Sequence, residues 1–183
     1  MSLTNWIVKY FMAELSYILK EHYPTHFDTL KNTSHDKEND IYMCQSSMPV
    51  INFDSLTKEL NPKKQPSSFD ALLSDEVKKS VYCVEFKNQD KAKINNVEIQ
   101  NKLIDGKVTV DDIFHRGNVA RSDYSFVFCV AFKPNKQHYR YRSKIAIRET
   151  LFNLQKFEDK FDKIITNDID FFIDEFTKRY SCD

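Results

Sequence analysis

An aspartate, a glutamate and a lysine stand close together in the chain at Asp70, Glu85 and Lys87. Val81-Tyr82-Cys83-Val84-Glu85-Phe86-Lys87 is rich in β-branched and aromatic residues and predicts a strand. Successive side chains of a strand alternate faces, so Glu85 and Lys87 emerge on one side while Val84 and Phe86 take the other. Asp70 lies in the preceding apolar run, Phe69 to Leu73, and the polar stretch Ser74 to Ser80 suits a hairpin turn. Antiparallel pairing of the two runs then brings Asp70 beside Glu85. Two carboxylates offer hard oxygen ligands to one or two Mg²⁺ ions, which lower the pKa of a bound water. Lys87 could orient that water or offset charge on a pentavalent phosphate. The chemistry that asks for this set is metal-assisted hydrolysis of a phosphodiester. Asp54, in Ile51-Asn52-Phe53-Asp54, is the rival first carboxylate; Asp70 is preferred because a single hairpin then suffices.

An aspartate opening one strand, a variable turn and Glu-x-Lys on the next strand resemble the PD-(D/E)XK nuclease superfamily, which includes many restriction and repair endonucleases. The resemblance runs over roughly residues 5 to 133 and departs from the common pattern in having Phe69 before the aspartate. It implies a restriction-endonuclease-like core and a nuclease acting on DNA. It further implies Mg²⁺ or Mn²⁺ held by Asp70 and Glu85, with Lys87 assisting the nucleophile. Members of the family often carry a glutamate on the first helix that completes the metal shell, for which Glu14 is the candidate here and Glu21 the second. Some branches place a glutamine or lysine on the helix after the Glu-x-Lys strand, which points to Gln100 or Lys102. The same resemblance admits a catalytically inactive nuclease-fold protein that binds nucleic acid or a partner protein.

The elements that must position these residues follow from hydrophobic periodicity. Asn5 to His22 carries Ile7, Tyr10, Phe11 and Ile18 at helical spacing, with Pro24 beyond its end. Glu14 falls within that apolar stripe, where a carboxylate is costly unless paired or metal-bound; the alternative is that it snorkels or meets a lysine. Val50 to Phe53 and Phe69 to Leu73 are short apolar runs. Asn95 to Asp105 predicts a helix ended by Gly106, and Asp111 to Phe114 a further helical turn. Ser125 to Phe132 is apolar on both faces, as a central strand covered by helices should be. Ser143 to Phe157 predicts a helix, Lys163 to Thr166 a short strand, and Asp168 to Tyr180 a closing helix with Phe171, Phe172 and Phe176 inward. The expected architecture is a single α/β domain over 1–183: a mixed central sheet flanked by helices, with helix, hairpin strands, helix and strand as its core and further helices after it.

Lysine plus arginine equals aspartate plus glutamate at 27 each, so affinity for a polyanion has to come from a local patch. Lys133 to Arg148 (KPNKQHYRYRSKIAIR) is that patch, with six Lys or Arg, no acid, and interleaved tyrosines. Its Lys136, Tyr139, Arg140, Arg142 and Lys144 suit a phosphate backbone and unpaired bases, against the plainer alternative of a solvated loop and an amphipathic helix start. With two glycines in all, Gly106 and Gly117, a Gly-rich phosphate cradle is excluded. The four cysteines, Cys44, Cys83, Cys129 and Cys182, are widely spaced and read as free thiols. His22 and His26 are four apart, but Pro24 between them breaks the helix a zinc pair would need. No secretory or membrane-spanning pattern is present, so the expectation is a cytoplasmic protein. At this length, site-specific double-strand cutting would need a homodimer or a partner subunit.

Overall fold

The computed structural model of the chain describes residues 14–134 and 150–172. Its elements are α1 (Leu15–His22), β1 (Phe27–Thr29), α2 (Leu30–Thr33), β2 (His35–Asp36), β3 (Ile41–Tyr42), β4 (Pro49–Asn52), α3 (Phe53–Leu60), β5 (Ala71–Asp75), β6 (Ser80–Lys87), α4 (Asn96–Arg116), β7 (Ser125–Phe132), β8 (Lys163–Asp168) and α5 (Ile169–Phe172). Six strands form one mixed sheet in the order β1-β4-β5-β6-β7-β8, and β2 and β3 form a separate hairpin. The pairs from β1 to β6 are antiparallel; β6 and β7, and β7 and β8, run parallel. The crossover from β6 to β7 is made by α4, as a parallel connection requires.

The expected hairpin is present. Ala71 pairs with Val84 and Asp75 with Ser80, so the polar residues between them make the turn. The apolar strand β7 lies between β6 and β8 and is buried from Phe126 to Phe132. Its alternate side chains feed two cores. On one face, Phe126, Phe128 and Val130 join Val81 and Cys83 with residues of α1, α3 and α4; on the other, Val127, Cys129 and Ala131 join Val84, Val50 and the α5 residues Ile169 and Phe172.

Three expectations change. The helix expected to stop at Gly106 runs on, so α4 extends over 21 residues and absorbs the separate turn expected at Asp111 to Phe114. Gly106 serves close packing instead: a Cβ there would lie 2.6 Å from the Phe69 ring, which stacks on Phe53 at 4.0 Å. Of the stretch expected as a helix from Ser143 to Phe157, Ser143 to Glu149 lies outside the described residues; Thr150 to Asn153 is not helical and Leu154–Phe157 forms a short 3₁₀ turn. Phe152 and Asn153 are both left-handed, at φ 61° and 55°, which stops any helix there. Finally, α1 begins at Leu15, and the backbone of Glu14 is extended at φ −77°, ψ 144°.

Candidate active site

The register that pairs Ala71 with Val84 continues one step to place Asp70 opposite Glu85, and Asp70 N–H donates to Val84 O at 2.9 Å. Asp70 sits just before β5, where its Oδ2 accepts from Phe86 N–H at 2.7 Å. That bond fixes the carboxylate against the end of β6. Glu85 and Lys87 alternate with Phe86, so both rise on the sheet face covered by α4. Their Nζ and Oε1 atoms are 3.2 Å apart. The sequence-derived trio therefore meets at one point.

Helix α4 adds two residues. Glu98 and Lys102 are four apart and share one helix face. Lys102 Nζ lies 2.7 Å from Glu85 Oε1 and 4.0 Å from Asp70 Oδ1, and Glu98 Oε1 accepts from Lys87 Nζ. The side-chain amide of Asn95 caps the helix at Val97 and Glu98 and fixes where this face begins. At the edge, Asp54, in the first turn of α3, accepts from Ser68 Oγ at 2.7 Å and from Lys58 Nζ at 2.5 Å.

Glu85 is 0% exposed, and its Oε2 has no hydrogen-bond partner among the described residues. Burial, with the Asp70 charge adding to it, pushes its carboxyl up to about 8 against the pull of Lys102 and Lys87. Burial also raises Asp70, more than Lys102 and the Phe86 N–H lower it. Burial works against the Lys102 charge, but Glu85 and Asp70 outweigh it and hold that ammonium above the ordinary lysine range. Glu98 and Asp54 are different. Burial tends to raise both, yet the Lys87 bond to Glu98, and the Lys58 and Ser68 bonds to Asp54, bring them below the usual carboxylate range.

These groups open into a cleft of about 410 Å³. One wall carries Asp54, Asp70, Glu85, Lys87 and Lys102. The other is the segment from Thr33 to Asn39, which includes β2 and the turn after it. No group of three or more acids, histidines or cysteines arranged to hold a metal occurs among the described residues. Two carboxylates with an uncommitted oxygen are nonetheless a fitting donor set for Mg²⁺, which is commonly held by one or two carboxylates and keeps its remaining waters.

The structure does not bring every candidate to this cleft. Glu14 pairs with Lys79 at 3.1 Å, six residues before Glu85 and thus about 20 Å along the strand. The helical phase that placed it inward does not reach it, because its backbone is not helical. Glu21 is exposed on α1. Gln100 turns from the cleft and donates through Nε2 to Phe152 O at 3.0 Å, tying α4 to the loop before β8. Lys136, Tyr139, Arg140, Arg142 and Lys144 lie outside the described residues. Cys83 is buried, and burial lifts its thiol well above the ordinary range, as befits a small core residue. His26 holds Ser55 Oγ at 3.1 Å and Glu59 Oε2 at 2.9 Å and braces the turn before β1 against α3. No described helix is long and apolar enough to cross a membrane.

No family model, curated protein or solved structure matches the chain.

Proposed function

We propose that this chain is a Mg²⁺- or Mn²⁺-dependent nuclease of PD-(D/E)XK type that hydrolyses phosphodiester bonds in DNA. One observation carries the reading: Asp70, just before β5, and Glu85, on the adjacent β6, converge with Lys87 on a cleft, and the buried Glu85 keeps one oxygen without a partner among the described residues. A buried polar atom left unpaired is costly, and a cation held between the two carboxylates would take up that oxygen. The order of the β5–β6 hairpin, α4 and parallel β7 agrees with a restriction-endonuclease-like core.

In this reading Asp70 and Glu85 hold the cation, which when bound supplies a water of lowered pKa and offsets charge on the phosphate. The chain's own residues do the rest. Phe86 N–H orients Asp70, and Glu98 steadies Lys87 from the solvent side so that its ammonium stays near the reacting oxygen. The basic stretch with Lys136, Tyr139, Arg140, Arg142 and Lys144 supplies backbone affinity. Site-specific cutting of both strands would call for a homodimer or a partner subunit.

The test is cleavage of supercoiled, linear and single-stranded DNA with Mg²⁺ or Mn²⁺, beside EDTA and Glu85→Ala controls. Lys87→Ala should lower the rate by about 10²- to 10³-fold while the far-UV dichroism is unchanged; cutting at the wild-type rate would refute the assignment.

A second reading has its own observation. Lys102 already presents a positive charge to Glu85 at 2.7 Å, as a catalytically inactive nuclease-fold protein that binds nucleic acid or a partner protein would do. Thermal melting separates the two. A nuclease gains about 2.7 kcal/mol when Mn²⁺ reaches 100 times its Kd, and the inactive form gains nothing beyond ionic strength.

A further inference from the structure

The β2–β3 hairpin is a small sheet of its own, yet it forms the outer wall of the cleft. It is pinned there. Asn88 Nδ2, one residue beyond β6, donates to Asp36 Oδ2 at 2.8 Å, and Asn39 donates to the same oxygen at 2.8 Å. His35 stacks flat on Tyr42 at 4.1 Å and meets Asp40 Oδ1 at 3.0 Å, which stiffens the hairpin across its strands. The wall is thus held across the cleft from Asp70 and Glu85.

Its charge is lopsided. From His35 to Asp40 the hairpin carries Asp36, Glu38 and Asp40 against Lys37. Asp36 stays ionised, because the Asn88 and Asn39 amides hold its carboxyl below the usual range. The opposite wall has Lys87 and Lys102 beside its acids. A duplex presents a second phosphate backbone across a groove of about 12 or 6 Å, and a duplex seated on Asp70 and Glu85 would press that backbone toward the acidic hairpin. One strand, which bends freely, can keep its phosphates on the Lys87 and Lys102 side and away from the acids.

We infer that the cleft admits one DNA strand at a time, with the pinned acidic hairpin excluding duplex, so that the substrates are single-stranded DNA and single-stranded overhangs. This rests on the nuclease reading given above and narrows its substrate. A target phosphodiester in a duplex would first have to be unpaired, as other enzymes that act in closed pockets require.

The experiment compares one oligonucleotide sequence as a single strand, as a blunt duplex and as a duplex with an overhang, each with Mn²⁺, for cleavage and for binding by fluorescence anisotropy in EDTA. Wild type should cut the single strand and the overhang at least about tenfold faster than the blunt duplex and bind them in the same order. Glu38→Lys combined with Asp40→Asn removes one acid that lines the wall and one just beyond it, while keeping a residue suited to the left-handed backbone at position 40, φ 51°. That variant should raise duplex cutting and binding severalfold, and more than it raises those of the single strand, so that the preference for one strand shrinks. Equal cleavage of duplex and single strand by wild type, or a preference unmoved by the double substitution, overturns the inference while leaving the nuclease standing. No cutting of any substrate overturns the nuclease; the binding order then decides whether the cleft still selects one strand, and equal affinities reject it.

Discussion

At the start of β6, Glu76 and Lys79 of the hairpin turn meet Tyr124 and Glu14; at its far end, Glu85 and Lys87 meet Asp70, Glu98 and Lys102. Both clusters are built of carboxylates and lysines gathered at the two ends of one strand, and they handle charge in opposite ways. Glu76 accepts from Ser16 N–H at 2.7 Å, Ser74 Oγ at 2.6 Å, Lys79 Nζ at 3.0 Å and the Tyr124 hydroxyl. Burial alone would raise its carboxyl, but those donors bring it below the usual range. Glu85 is more deeply buried, has one oxygen without a partner among the described residues, and is raised to about 8. A cluster that fastens α1 to a hairpin has every reason to satisfy its acids. One that leaves a buried carboxylate short of donors carries an uncompensated cost, which the proposed function would relieve with a ligand.

Removing the lysine from each end should show the difference most strongly. Lys102→Met leaves Glu85 and Asp70 facing each other without their nearest cation, and breaking a buried pair in this way costs about 3–5 kcal/mol. Without Lys102 the Glu85 carboxyl rises further above its value of about 8, so protonation relieves the cost at low pH and the cost grows from pH 6 to pH 9. Urea unfolding at pH 6 and pH 9 measures it. A variant as stable as wild type at pH 9 would show that Glu85 is not charged there.

The next effect is one of pH, and its sign separates the two ends. Glu85 has a folded value of about 8 against an ordinary 4.5, so the folded state binds the proton better. Its contribution to stability is complete below pH 4.5 and is lost as pH rises to 8, with a slope of at most about 1.4 kcal/mol per pH unit. Glu76 is lowered, so its contribution is present above pH 4.5 and lost as pH falls through its folded value. In the metal-free protein, Glu85→Gln should therefore become more favourable relative to wild type as pH rises from 4.5 to 8. Glu76→Gln should lose its disadvantage as pH falls below 4.5. Parallel pH profiles for the two variants would remove the contrast.

The two ends also differed in how far the sequence disclosed them. Asp70, Glu85 and Lys87 were legible because strand alternation and a short hairpin are local rules, and the register from Ala71–Val84 to Asp75–Ser80 obeys them. The mixed sheet with β7 inside it was legible for the same reason. Lys102 was marked only as one of two helix candidates, since which face of α4 meets β6 depends on a crossover that no local pattern fixes. The i, i+4 pair of Glu98 and Lys102 was the available signal. Gly106 misled because a helix-ending glycine and a glycine under an aromatic ring look alike until Phe69 is placed above it. Glu14 misled because periodicity was carried through a residue whose backbone is extended. The hairpin wall escaped altogether: β2 and β3 are two residues each, too short for any periodicity to register.

Lys79→Met is the mildest test and the one that calibrates the others. Lys79 is held above the ordinary lysine range by Glu76 and Glu14, which outweigh its modest burial, and its ammonium also lies 5.1 Å over the Tyr124 ring. Its side chain is 38% exposed and that of Glu14 is 59% exposed, so solvent screens the pair and the contribution falls to about 1 kcal/mol or less. The loss should shrink further in 0.5 M salt, whereas that of Lys102→Met, with Glu85 wholly out of solvent, should persist. Because Glu76 retains its bonds from Ser16, Ser74 and Tyr124, no orphaned buried charge is created at this end. Urea unfolding of both variants at low and high salt makes the comparison. If Lys79→Met cost as much as Lys102→Met and resisted salt equally, the two ends of β6 would be equivalent, and the case for Glu85 as a site awaiting a ligand would lose its contrast.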